Sequence, residues 1–253
     1  MTFALETHVG TEPLSRVPDL SAEVICWSRM QSEAGQGLSE IITRKESERL
    51  AGDGTFFWGV GNAPALLANV YAKLRRPVPV VFSIMKSRPK LVDSAPERTV
   101  VWRKYIDAEG VERDLPAQAL ITSRGDSASG PKKYHYALMC RSDIPLALTS
   151  GQGFDPKAYR NAGGTGAPVG ASQVTALLQR IRPDLQTDQY EINLKATLTG
   201  SYWVRLTDPL QLTEQQQASI NNLRGCTSNE WLAFVRGIRG KSTAMSSNEG
   251  LLF

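Results

Sequence analysis

The chain has 253 residues, 41% hydrophobic and 21% charged, with a formal net charge of +4; this suits one large domain, or a medium domain with a small one, and permits an anionic partner without demanding one. No apolar run approaches the roughly 18 residues that a membrane-spanning helix needs, and the opening MTFALETHVGTEPL lacks a basic stretch followed by an apolar one, so neither insertion nor export is expected. Cys26, Cys140 and Cys226 are odd in number, far apart and without CxxC spacing, which argues against a disulfide framework or a zinc site and fits a soluble protein of the reducing cytoplasm.

Residues 1–21 read as an extended lead-in. Glu23 to Ser28 is a short apolar run of strand formers, followed by a Gly/Gln/Ser loop at 31–37. Leu38 to Leu50 has helical periodicity, with Leu38, Ile41, Ile42 and Leu50 apolar and Lys45, Glu46, Glu48 and Arg49 charged. Gly52-Asp53-Gly54 signals a turn, and Thr55 to Val60 is the clearest strand. Pro64 to Lys73 suits a short helix, and Val78 to Met85 and Arg98 to Ile106 are strands, the second closed by a turn at 107–110. Ala117 to Thr122 and Lys133 to Cys140 are two more, joined by a polar loop. Six short strands with two helices predict a closed or partly closed β-barrel, which leaves no unpaired edges.

The composition then shifts. Residues 149–171 are rich in Gly and Pro and read as a linker. Ser172 to Ile181 reads as a helix with Val174, Leu177, Leu178 and Ile181 on one face. Tyr190 to Leu198 and Tyr202 to Leu206 read as a hairpin around Thr199-Gly200-Ser201. Thr213 with Gln216 has capping-box spacing at the start of a helix, Asn229 to Val235 is a last helix, and 241–253 a mobile tail.

The run Val24-Ile25-Cys26-Trp27-Ser28, the helix after it, and Gly52-Asp53 leading into Phe56-Phe57-Trp58 resemble the PUA-like superfamily, and within it the EVE and YTH-type readers of modified bases. The resemblance covers residues 22–148. It implies a mixed-strand PUA-like β-barrel flanked by helices; with residues 172–240, which have no counterpart in that family and read from their own pattern as a smaller α+β C-terminal region, the expected class is α+β. The resemblance also implies a nucleic-acid-binding module that recognises a modified or unpaired base, in DNA or RNA.

Such a base is held by stacking on aromatic faces and by hydrogen bonds to its edge. Trp27 and Trp58 each end a strand beside a polar or glycine-containing loop, which makes them the candidate stacking residues. Ser28, Arg29 and Asn62, and Ser123 and Arg124 at another strand end, could supply hydrogen bonds. Arg44 and Lys45 on the helix, with Arg103 and Lys104, are the candidate phosphate contacts. The last two belong to a basic run from Arg75 and Arg76 through Lys86, Arg88, Lys90 and Arg98, which reads either as a solvated sheet edge or as a phosphate-facing surface.

Catalytic motifs are sparse. His8 lies in the lead-in, and His135, flanked by tyrosines, reads as a packed residue. No GxSxG, Walker or HExxH motif occurs. Asp184, Glu191 and Lys195 resemble the acidic pair and lysine of restriction-type nucleases, though with Glu-x-x-x-Lys in place of Glu-x-Lys; a metal-dependent nuclease is therefore an alternative, and a protein-interaction domain another. The leading reading carries no catalytic residues, no metal and no cofactor.

Overall fold

A computed structural model describes residues 24–30, 37–60, 67, 71–72, 74–84, 99–116, 119, 121–124, 135–150, 152–162, 175–181, 190–222, 233 and 237. The strands are β1 (Val24–Met30), β2 (Thr55–Val60), β3 (Val78–Ile84), β4 (Thr99–Ile106), β5 (Glu112–Asp114), β6 (Ile121–Arg124), β7 (His135–Arg141), β8 (Gln152–Phe154), β9 (Tyr159–Asn161), β10 (Thr175–Arg180), β11 (Tyr190–Ile192) and β12 (Leu194–Gln211). The helices are α1 (Leu38–Ala51) and α2 (Glu214–Asn222), with a 3-10 turn at Pro156–Ala158. No helix among the described residues is long and apolar enough to cross a membrane.

Ten strands form one mixed sheet in the order β2-β7-β12-β3-β1-β10-β9, with β4 joined to β12 and carrying β5 and β6. β1 and β3 are parallel, while the other pairs are antiparallel. β8 and β11 form a separate pair. The α+β class therefore stands, but the expected barrel does not form, because the sheet stays open with β2 at one end of its order and β9 at the other.

The edge at β2 is covered by a side chain. Glu48 of α1 is 1% exposed, and its Oε1 accepts the Phe57 backbone N–H at 2.6 Å, the bond a further strand would otherwise make. Its Oε2 accepts from Lys45 Nζ at 2.7 Å, and Lys45 is itself buried. Burial pushes the Glu48 carboxyl up and the Lys45 ammonium down, and their mutual attraction opposes both shifts. Two further bonds hold the helix: Glu46 Oε2 accepts the Leu146 N–H at 2.7 Å, and Arg49 donates to the Ser142 carbonyl at 3.3 Å. The helical periodicity holds, but Lys45 and Glu48 face inward alongside Ile41 and Ile42.

Alternation along the strands divides the core. Cys26, Met30, Phe56, Trp58 and Phe82 pack with Ile41 and Ile42. Ile25, Trp27, Val81 and Leu178 form a second cluster with Tyr159 of β9 and Ile192 of β11. Phe57 joins Trp102, Tyr105 and Leu206 in a third. Cys26 and Cys140 are buried free thiols, as expected, and burial raises Cys26 to about 12.

The C-terminal half departs furthest from its sequence pattern. Of the predicted helix Ser172 to Ile181, Thr175–Arg180 is strand β10, inserted between β1 and β9, and 172–174 lie outside the described residues. Ala176, Leu177 and Leu178 are all buried, so a short apolar run covered on both faces gives the same pattern as one turn of buried helix. The hairpin at 199–201 is a bulge within the single strand β12. Leu198 pairs with Cys140 and Trp203 with Leu138, so Thr199, Gly200, Ser201 and Tyr202 stand against Met139 alone. The 149–171 segment contains β8, the 3-10 turn and β9, and strands from both sides of it share the one sheet. The capping box of α2 is present, with Thr213 N–H to Gln216 Oε1 at 2.9 Å and Gln216 N–H to Thr213 Oγ1 at 3.2 Å. Of the predicted helix 64–73, Leu67, Tyr71 and Ala72 are described and are helical; of 229–235, only Ala233 is described, also as helix. The lead-in and tail lie outside the described residues.

Removing one partner of a buried pair strands the other charge, so Glu48→Ala should lose about 3–5 kcal/mol in urea unfolding, and Lys45→Met with Glu48→Leu should cost less than the two single changes summed. A second measurement concerns acid. Burial pushes the Glu46 carboxyl up, but the bidentate Arg49 and the Leu146 N–H outweigh it and leave it below its ordinary 4.5. A depressed carboxyl stabilises the fold above the unfolded value and loses that contribution as pH falls through the folded one. The stability gap between the wild type and Glu46→Gln should therefore be full near neutrality and close below about pH 4.5, followed by thermal melts across pH.

Candidate nucleic-acid interface

The predicted stacking pair does not share a pocket. Trp27 is 1% exposed; its Nε1 donates to Ser83 Oγ at 3.1 Å, and its ring meets Tyr190 edge-on at 5.1 Å. Trp58 is 8% exposed and packs on Phe82 with ring centres 4.9 Å apart, in the cluster beneath α1. The two indoles belong to different clusters, so no common mouth opens between them. The reason is strand parity: Trp27 is odd-numbered along β1 and faces away from Cys26 and Met30, which are Trp58's own neighbours.

The companions scatter likewise. Ser28 is buried, with its Oγ 3.1 Å from Thr175 Oγ1. Arg29 is half-buried, its guanidinium 5.9 Å from the centre of the Trp27 ring and 5.7 Å from that of Tyr190. Ser123 and Arg124 end β6, paired with Val100 and Thr99 of β4, and only their backbone is described. Asn62 lies outside the described residues. His135 is half-buried and stacks on Trp102 with ring centres 5.9 Å apart, as a packed residue would.

Of the four predicted phosphate contacts, three are held in ion pairs and the fourth, Arg44, is desolvated. Lys45 is bound to Glu48 in the interior. Burial lowers Arg44 to about 10. Arg103 pairs with Asp208 of β12, and Lys104 with Glu112 of β5 at 3.0 Å. Each sits on a regular element where a carboxylate on the next strand, or on the next helical turn, comes within reach.

A different pair of cations stands clear. Arg75 and Arg76 follow the helical residues Tyr71, Ala72 and Leu74, are exposed, and make no ion pair among the described residues. Arg75 has a left-handed backbone (φ 47°), and its N–H bonds to the Tyr71 carbonyl at 3.0 Å. Tyr202, in the β12 bulge, fixes the next residue: its hydroxyl donates to the Arg76 carbonyl and accepts the Arg76 N–H at 3.2 Å. Tyr202 is 1% exposed, has φ 62°, and meets the Tyr71 ring edge-on at 5.2 Å. Tyr71 Oη donates to Glu109 Oε1 at 2.8 Å, and Ser201 Oγ donates to Glu109 Oε2 at 3.1 Å. The Glu109 bond, then burial, push the Tyr71 phenol up.

Three segments far apart in sequence thus meet at one corner: 71–76, the turn at 107–110, and the bulge. Gly200 takes a left-handed backbone (φ 57°) in the bulge at the lowest cost of any residue, and a Cβ there would lie 2.9 Å from Met139 Sδ, which would have to shift. A glycine inside a strand pattern is itself a bulge signal, and that signal could have pointed to Ser201 and Tyr202. Of the nuclease residues, Asp184 lies outside the described residues, Glu191 is exposed on β11, and half-buried Lys195 on β12 pairs across from Val81. Among the described residues no group of three metal-binding side chains occurs. No family model, characterised protein or solved structure matches this chain.

Tyr202→Phe removes the hydroxyl that bridges the Arg76 peptide and leaves the ring packing. It should cost about 1 kcal/mol in denaturant titration, and the Arg76 amide should exchange with solvent faster while amides of β1 and β3 do not.

Proposed function

We propose that this chain is a nucleic-acid-binding module whose phosphate contact is the Arg75–Arg76 corner. The observation that carries the reading is the contrast among cations. Lys45, Arg49, Arg103, Lys104, Arg113 and Arg141 each face a carboxylate, whereas Arg75 and Arg76 are adjacent, exposed and held on a fixed backbone. An arginine fork suits phosphate oxygens, and a backbone already ordered loses less entropy on binding. The net charge of +4 has the matching sign. Tyr71, half-buried beside the pair, is the aromatic for an unpaired base to stack on, in the role expected of Trp27 and Trp58.

Labelled single-stranded oligonucleotides, titrated by fluorescence anisotropy at several salt concentrations, test this directly. Binding should weaken as salt rises, because neutralised phosphates release counterions. Arg75→Asn with Arg76→Gln keeps a residue that tolerates the left-handed backbone, and should flatten the log–log salt slope by about 1.4, or about 0.7 for each phosphate that is no longer neutralised. An unchanged slope and affinity would remove the corner from the interface. No binding to any oligonucleotide would leave the protein-interaction role.

A further inference from the structure

We infer that the polymer taken at this corner is RNA, recognised by a hydrogen bond from a ribose 2′-hydroxyl to Glu109; this rests on the nucleic-acid reading above. A carboxylate beside a phosphate-binding pair needs a reason, because its charge repels the same ligand. Glu109 is not there to neutralise the arginines, since neither forms an ion pair with it. It is held instead by two neutral donors from different segments, Tyr71 Oη on one oxygen and Ser201 Oγ on the other. An ionised carboxylate has about four acceptor positions, so each oxygen keeps capacity for another donor. The residue is exposed, and that capacity faces solvent.

In the free protein water fills that capacity, and when a bound polymer displaces the water the replacing donor has to come from the ligand. Phosphates are acceptors only, and a DNA backbone carries no hydroxyl between them. RNA offers one at every sugar, close to the phosphate that the arginines would hold, and the 2′-hydroxyl is the group by which proteins tell RNA from DNA. The two roles are linked in the structure. Tyr71 orients Glu109 through its hydroxyl and accepts the Arg75 N–H through its carbonyl. Ser201 orients Glu109 while its neighbour Tyr202 fixes Arg76. A change in the position of one group is thereby felt by the other.

The test compares one sequence as single-stranded RNA, DNA and 2′-O-methyl RNA, by anisotropy on the full chain. RNA should bind roughly five- to tenfold more tightly than DNA, the scale of one ordinary hydrogen bond made in competition with water. The 2′-O-methyl oligonucleotide, which has no donor at that position, should bind like DNA. In Glu109→Ala, RNA should fall to the DNA level while DNA binding holds or improves. Should that variant melt early, Tyr71→Phe and the 2′-O-methyl probe on wild type give the same comparison. Equal affinity for RNA and DNA, full affinity for 2′-O-methyl RNA, or an RNA preference that survives Glu109→Ala each overturns the inference and leaves the nucleic-acid reading intact. Discrimination among bases with none between sugars would reassign Glu109 to a base edge and overturn it too. Failure to bind any of the three removes the parent reading with it.

Discussion

A carboxylate buried under one helix sets much of this architecture. Glu48 takes the Phe57 N–H from the open edge of β2 and the ammonium of Lys45 from its own helix. Water is excluded from both, so the acid is satisfied only while helix and strand stay in register. That single arrangement ends the sheet, seats Ile41 and Ile42 over Phe56 and Trp58, and draws Lys45 inward. It also gives the open β2 edge one side-chain acceptor for a backbone N–H that no strand pairs.

The second organising element is β12. Its eighteen residues pair in turn with β3, β7 and β4, so it ties the parallel centre of the sheet to the β4 arm. A strand of that length can satisfy three neighbours only if its twist and direction are reset along the way. The bulge at 199–202 does this between its two stretches of pairing with β7. Tyr202 is placed there with a left-handed backbone that a bulky residue adopts at a cost, and its hydroxyl bonds a peptide more than a hundred residues earlier. The irregularity that lets the sheet turn is the same one that builds the arginine corner.

Cation availability follows from this geometry more than from composition. Lysines and arginines on regular elements sit at fixed spacing from carboxylates on the neighbouring turn or strand, and ion pairs form wherever that spacing allows: Lys45 with Glu48, Lys104 with Glu112, Arg103 with Asp208. Arg75 and Arg76 lie between a helical turn and β3, and the strand beside them, β12, meets Arg76 there through the Tyr202 hydroxyl and not through a carboxylate. Glu109, the acid at the same corner, is bonded to Tyr71 and Ser201 and forms no ion pair with either arginine among the described residues.

The amino-acid sequence by itself determined the local elements of the N-terminal half. β1, α1, the Gly52–Gly54 turn, β2, β3 and β4 lie close to where periodicity and glycine punctuation put them, as does the capping box of α2, because each is fixed by neighbours within a few residues. The tertiary structure alone decided the rest. It made β10 a strand by giving its apolar run two covered faces, turned an apparent hairpin into a bulge by supplying β7 as one partner for both arms, left the sheet open, and set Glu48 on its β2 edge. It also chose which aromatics are core and which cations face solvent. Trp27 and Trp58 look alike in sequence, but burial and pairing depend on contacts between residues tens to hundreds of positions apart, and no local pattern encodes those.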